Sequence, residues 1–278
     1  MNQIPLLISF SGGRTSAFMT RFLLTRYPKR EIYVVFANTG KERLETLDFI
    51  NECDKRWCFK TVWVEALVDP IKNKGTKHKV VTYETASKNG EPFEAVIAKY
   101  GITNKPFPHC TRELKLAPIK SYMDSVGVKE YESALGIRSD EPHRINRKRA
   151  EKEKLIYPMA DEIKATGKMI RDWWNKQEFD LSIKDYEGNC DMCWKKSERK
   201  LMTIYKENPQ YIEWWGEMEK KYGKGRHHFF RNNKSSKDLI RLSNNPFDMA
   251  KDYNEKQKQD TMFDANLDIE FGCVCKST

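Results

Sequence analysis

The stretch from Ile4 to Ser16, Ile-Pro-Leu-Leu-Ile-Ser-Phe-Ser-Gly-Gly-Arg-Thr-Ser, constrains this chain more than any other. Its apolar run is too short for an ordinary helix and stops at Ser11-Gly12-Gly13, after which apolar residues return at helical spacing as Phe18, Met19, Phe22 and Leu23. The pattern predicts a strand, a tight turn and a helix. Paired glycines let backbone approach a ligand closely, and the first N–H groups of the helix face the same space as unpaired donors at the positive end of the dipole. With Ser9, Ser11, Thr15 and Ser16 for hydroxyls and Arg14 for charge, phosphate is the natural guest; an ordinary strand-to-helix turn is the competing reading. The stretch lacks the Lys-Ser/Thr of a Walker loop and the glycine spacing of a dinucleotide fold.

A second β-branched run, Glu31 to Ala37, exits at Asn38-Thr39-Gly40, and the next segment puts Leu44, Leu47, Ile50, Cys53 and Trp57 on one helical face. Alternating strands and helices predict an α/β fold with a parallel sheet of about five strands and helices on both faces, its ligands at the carboxyl ends of the strands. A further strand, Tyr131 to Leu135, ends at Gly136-Ile137-Arg138, where glycine permits close approach and arginine matches phosphate bidentately. Residues 69–105 show weak patterning and read as a solvated loop. In Pro108-His109-Cys110-Thr111-Arg112-Glu113-Leu114-Lys115, cations follow a cysteine at short helical spacing; such neighbours lower a thiol pKa, which makes Cys110 a nucleophile or a ligand. A charged helix bent at Pro118 is the plainer account. Cys53 and the pair Trp173-Trp174 read as packing residues.

The length fits a nucleotide-binding α/β core over residues 1–160 and a mainly helical C-terminal region over 161–278. No run reaches the length of a membrane span and no signal sequence opens the chain, so a cytoplasmic protein without a membrane partner is expected. Fifty Lys+Arg against forty Asp+Glu attract polyanions. Seven cysteines in such a chain point to metal or redox roles. Cys190 and Cys193 form a C-x-x-C pair, and Cys273 and Cys275 lie near the end. A four-thiolate iron–sulfur or zinc site needs two ligands beyond such a pair, which Cys110 and one of Cys273 and Cys275 would supply. Free thiols are the alternative. Residues 220–234 interleave cations with aromatics, as a strand of unpaired bases requires, although an exposed basic loop reads the same way.

Four of these segments together resemble one family. Ser11 to Ser16 is similar to the S-G-G-x-[DT]-S pyrophosphate loop of the adenine nucleotide alpha-hydrolase-like (PP-loop) superfamily; Phe36-Ala37-Asn38-Thr39-Gly40 to a segment beside the adenosine; Gly136 to Arg144 to G-x-R-x-[DE]-[EQ]-x-x-R. The segment from Cys110 to Pro118 resembles the C-x-x-R-K-x-x-P-L block of phosphoadenosine phosphosulfate (PAPS) reductases, and the whole resembles the short bacterial and phage members. The resemblance implies that Ser9, Ser11, Gly12, Gly13, Arg14, Thr15, Ser16, Phe36, Asn38, Thr39, Gly40, Gly136 and Arg138 bind an adenine nucleotide (PAPS, APS or ATP), with magnesium a further ion of the superfamily. Arg112 and Lys115 would face phosphate or sulfate, and Cys273 or Cys275 would attack sulfur, leaving a thiosulfonate for thioredoxin or glutaredoxin. The metal set implied is a [4Fe–4S] cluster, with Zn2+ the alternative, on Cys110, Cys190, Cys193, Cys273 and Cys275.

The function expected is therefore sulfonucleotide reduction. Its rivals are an ATP pyrophosphatase-type sulfur transferase that adenylates a tRNA or DNA base, and a nucleotide-binding regulator of nucleic acid that does not turn over.

Overall fold

The computed structural model describes residues 4–71 and 73–252, and Cys273 and Cys275 lie outside them. In chain order the elements are β1 (Leu6–Ser9), α1 (Arg14–Arg26), β2 (Ile32–Asn38), α2 (Leu44–Trp57), β3 (Val62–Leu67), β4 (Lys77–Val81), α3 (Glu91–Tyr100) and α4 (His109–Thr111). A π-helical turn (Arg112–Leu116) leads into α5 (Ala117–Ser125), then β5 (Glu132–Ala134), α6 (Arg147–Glu153), β6 (Leu155–Ile156), α7 (Pro158–Asp161) and α8 (Gly167–Trp174). Helices α9 (Glu198–Glu207), α10 (Tyr211–Tyr222) and α11 (Ser236–Ser243) complete the described chain.

The sheet runs β4-β3-β2-β1-β5-β6, parallel except where β4 joins β3. β1 sits centrally, Leu6 pairing with Ile32 on one side and Glu132 on the other, because a strand apolar on both faces can be buried on both. Leu6, Ile8 and Phe10 face a core built with α1, α2 and α8, whereas Leu7 faces Ile119 and Met123 of α5. Strand order reverses at β1, and in an open parallel sheet that reversal opens a crevice beyond the strand ends.

Residues 69–105 are not the loop expected. β4 is an edge strand whose only buried residue is Val81, and α3 buries Phe93, Val96 and Ile97. A polar edge strand carries too little apolar alternation to be seen in the sequence.

A second apolar core joins α3 and Leu114 to Leu201, Ile204, Trp215, Phe229 and Phe230, so it draws on both sides of residue 160. Trp173 and Trp174 pack into the first core, Trp173 edge-on to Phe18 with ring centres 4.9 Å apart. The Trp174 indole N–H donates to the Arg14 carbonyl at 3.0 Å, tying α8 to the start of α1. Trp174→Ala removes that bond and empties a fully buried site, and should cost about 3–5 kcal/mol, read as a lower urea midpoint.

Candidate active site

The start of α1 and the exit of β5 meet where strand order reverses. Gly12 has φ of +72°, and a β-carbon there would lie 2.7 Å from both Ile50 Cδ1 and Thr46 Cγ2, so only glycine lets the loop lie against α2. The Ser16 hydroxyl fastens the turn: it accepts from the N–H of Ser11 (3.3 Å) and Gly13 (3.2 Å) and donates to the Gly13 carbonyl (2.9 Å). The first turn of α1 then presents N–H groups that have no partner within the helix. A cleft of about 510 Å³ opens there, lined by Ser9, Ser11, Gly13, Thr15, Ser16, Gly136 and Arg138 among others.

Other expected nucleotide ligands have protein partners. Arg14 also lines the cleft, but its guanidinium grips Asp180 at 2.7 and 2.9 Å and reaches the Leu181 carbonyl, which makes it a clamp on the segment after α8. Phe36 is a core residue, edge-on to Trp63. Asn38 is fully buried, donating to Glu65 (2.7 Å) and the Ser87 carbonyl (2.8 Å) and accepting from the N–H of Gly40. Thr39 lines a second cavity, not this cleft. Arg138 stands between the two, reaching Thr15 Oγ1 at 3.5 Å and pairing with Asp140 at 2.9 Å.

The second cavity, about 830 Å³, brings Cys110, Cys190 and Cys193 together with Lys115. Pro118 has no N–H to give the Leu114 carbonyl, so the regular helical ladder is broken there; the π turn before it bonds Ala117 N–H to the Arg112 carbonyl. Lys115 lies in this turn and faces the thiols, whereas Arg112 points away, bonded to Glu113 at 2.5 Å and over the Tyr100 ring, and lines neither cavity.

Glu42, which the sequence did not single out, sits at the centre. One of its oxygens accepts from Thr39 N–H (2.8 Å) and Thr39 Oγ1 (2.7 Å), while the other accepts from Cys190 Sγ (3.6 Å) and faces Lys115 Nζ (3.8 Å). Burial and the Glu42 carboxylate push the Cys190 thiol well up, with Lys115 pulling the other way. Burial opposes the charge on Lys115, but Cys190, Glu42 and the other two thiols outweigh it and raise its pKa. Burial, assisted by Lys200 and Arg43 and opposed by Cys193, draws Lys196 down to about 8.

A strap around residues 184–193 is wired to both halves. Asn189 donates its side-chain N–H to the Ser11 carbonyl, Arg43 N–H donates to the Asn189 carbonyl (2.7 Å), and Cys190 bridges Glu42 in antiparallel fashion. Lys41 pairs with Asp191 at 2.8 Å, and Arg43 with Glu187 at 3.0 Å. Glu187, Gly188 and Asn189 thereby wall both cavities, together with Arg138 and Arg144.

The model of the phosphoadenosine phosphosulfate reductase domain matches residues 5–158, more than half of the chain and the whole of this sheet. The chain belongs to that family. As a PAPS reductase-family protein it has the PP-loop fold, and the family implies that it binds an adenine nucleotide. It is 32% identical over 200 residues to an uncharacterized nin region protein of Escherichia phage lambda, covering 70% of this chain and 67% of that one. Two uncharacterized proteins of Methanocaldococcus jannaschii are 25% and 24% identical over 138 and 228 residues, covering 46% and 77% of this chain. The chain spans only 24% and 47% of the length of those two relatives.

The nucleic-acid reading of residues 220–234 loses two of its rings, because Phe229 and Phe230 are buried beside Trp215 in the second core. Among the described residues no three His, Cys, Asp or Glu side chains are placed to hold one metal ion, and no helix is long and apolar enough to cross a membrane. Cys110, Cys190 and Cys193 line one cavity without forming such a group, and the other expected ligands, Cys273 and Cys275, lie outside the described residues.

Proposed function

We propose that this PAPS reductase-family protein is a sulfonucleotide reductase. It would bind PAPS or APS with phosphate at the Ser11–Ser16 loop and sulfate towards the adjoining cysteine cavity, and reduce that sulfate with cysteine thiols. The observation that carries this reading is the wall of Arg138, Arg144 and Glu187 to Asn189 common to the phosphate cleft and the three-cysteine cavity. A nucleotide seated on the loop can extend its sulfate along that wall.

In the reaction a cysteine thiolate, assigned to Cys273 or Cys275, attacks sulfur; the bond from sulfur to the phosphate oxygen breaks, and the electron pair leaves with the nucleotide. A second thiolate attacks the cysteine sulfur of the thiosulfonate, sulfite departs with the electron pair and a disulfide remains. Two thiols are oxidised and the sulfate sulfur gains two electrons. The dithiol of thioredoxin or glutaredoxin would then restore the thiols, a step that suits the reducing cytoplasm. Lys115 and Arg138 are the cations set to hold the charge that develops on sulfate and phosphate; Arg112 is not. A [4Fe–4S] cluster on Cys110, Cys190, Cys193 and a fourth thiolate would supply a polarising, redox-active group there.

Incubating protein purified without oxygen with PAPS or APS and a dithiol tests the reading. Sulfite and desulfated nucleotide should appear in equal amounts, and Cys190→Ser or Cys193→Ser should lower the rate by about a hundredfold or more. Pyrophosphate and AMP from ATP without sulfite from either sulfonucleotide would overturn it in favour of an adenylating sulfur transferase.

A further inference from the structure

A pinned loop holds an aromatic ring in water beside the cysteine cavity. Phe107 stands between Pro106, whose ring fixes its own φ, and Pro108, which disfavours helical backbone at the residue before it. The Phe107 N–H donates to Asn104 Oδ1 (3.1 Å), and its carbonyl accepts from the N–H groups of Asn104 (3.1 Å) and His109 (2.8 Å) and from Thr103 Oγ1 (3.1 Å). The ring is nonetheless 52% exposed. It lies within 13° of parallel to the His109 ring, which lies within 27° of parallel to Tyr100. One exposed ring means little by itself. A ring whose backbone is already fixed, in line with two others, can take a further flat partner with little conformational freedom left to lose.

Unanswered positive charge surrounds these rings. Asn104 Nδ2 donates to the His228 carbonyl (3.2 Å), Lys195 Nζ to Thr111 Oγ1 (3.1 Å) and the Arg231 guanidinium to the Lys195 carbonyl (2.6 Å), so three distant segments form one surface. On them Lys105, Lys195, Arg226 and Arg231 are exposed and enter no ion pair among the described residues. The nearby acids are matched, Glu113 by Arg112 and Glu198 by Lys234. Cys110, Thr111 and Lys195 also line the cysteine cavity, which puts this surface on its rim. Burial of Phe229 and Phe230 thus leaves the cations of residues 224–231 in place, and Phe107 supplies the ring they lack.

We propose that Phe107 and His109, with Lys105, Lys195, Arg226 and Arg231, form a binding surface for single-stranded nucleic acid across the mouth of the cysteine cavity. Unpaired bases stack on the exposed ring while the cations answer phosphates. A duplex, whose bases are already stacked, offers this surface only its phosphates, and an acidic protein has no need of the ring. The surface is separate from the Ser11–Ser16 loop, and the proposal does not depend on which nucleotide that loop holds.

Fluorescence anisotropy on the full chain tests this, with labelled oligothymidylate and oligouridylate about 12 nucleotides long, a duplex of equal length, and heparin as a polyanion without bases. At about 50 mM salt at least one single strand should bind, about tenfold or more tighter than the duplex, and log affinity should fall with log salt at a slope of about −2 to −3, as three or four phosphate contacts require. Preference for oligouridylate assigns the surface to RNA and preference for oligothymidylate to DNA, and either supports it. Phe107→Ala should weaken the single strand about tenfold, whereas Phe107→Tyr should retain binding. The double variant Lys105→Gln, Arg226→Gln should make the salt slope shallower by about 1. An unchanged urea midpoint shows that each variant is folded, as substitutions at exposed positions allow. No binding of either strand at low salt would overturn the proposal. So would equal affinity for strand, duplex and heparin with Phe107→Ala without effect, a result that would make this a surface for an acidic partner instead.

Discussion

Gly12→Ala should abolish measurable nucleotide binding and destabilise the protein, whereas Gly13→Ala should do only the first, and only in part. At Gly12 the backbone is left-handed, which costs an L-residue about 1–2 kcal/mol, and the new methyl meets Ile50 and Thr46 at 2.7 Å. Ile50 is fully buried in the main core, so neither it nor α2 yields cheaply, and a total of about 2–4 kcal/mol is expected. The loop is displaced towards the cleft, which should weaken AMP by about a hundredfold or more, because several backbone donors lose their aim together. At Gly13 φ is −101° and a β-carbon would find nothing nearer than 3.6 Å, so stability should change by less than about 0.5 kcal/mol. That methyl still stands in the cleft, and about a tenfold loss of nucleotide affinity is expected from its bulk alone. Urea unfolding and calorimetry on the pair separate the two effects. Equal destabilisation by both would contradict the packing described for Gly12.

Lys115→Met should lower stability modestly and nearly eliminate sulfite release. The ammonium is the cation that faces Glu42 and all three thiols. Its side chain is 39% exposed but that of Glu42 only 1%, so the change leaves a buried carboxylate without its cation and should cost about 1–3 kcal/mol. Glu42 keeps the two Thr39 donors. The catalytic effect is larger, since charge that moves onto a leaving oxyanion would lose its nearest fixed cation; such contacts account for about a hundredfold to a thousandfold in rate. Lys115→Arg should recover part of the rate, because charge is restored with altered geometry. Turnover unchanged in Lys115→Met would remove this residue from the chemistry.

The parts of the site that could be read in the sequence are those made by short segments with local rules. The loop from Ser11 to Ser16, the turn after β2 and the Gly-Ile-Arg exit of β5 each carry their signal within a few residues, and parallel-sheet topology gathers such turns at one edge. What escaped depends on contacts between distant segments. Arg14 reads as a phosphate ligand and does line the cleft, but its pairing with Asp180, 166 residues away, has no signal in the sequence. Glu42 is an unremarkable acid in sequence, and its place between Cys190 and Lys115 exists only because residues 189–191 pair with 41–43. Asn38, expected beside a nucleotide, is spent satisfying Glu65 and the β2 exit. Phe229 and Phe230 mislead for a related reason: rings among lysines fit base stacking or core packing equally, and only burial distinguishes the two. The three cysteines were expected to meet, and Cys110, Cys190 and Cys193 do line one cavity.

The central claim is that the phosphate cleft and the cysteine cavity form one substrate site. The direct measurement is the alkylation rate of each cysteine, followed by peptide mass spectrometry, in reduced protein freed of metal by chelation, with and without saturating PAPS. Cys190 and Cys193 should be alkylated at least about tenfold more slowly when the nucleotide is bound, since it shields the wall they share. Cys53, fully buried in the core, should stay unreactive in both. PAPS bound by calorimetry with the rates at Cys110, Cys190 and Cys193 unchanged would contradict the account, because the nucleotide would then occupy a site that the thiols do not adjoin.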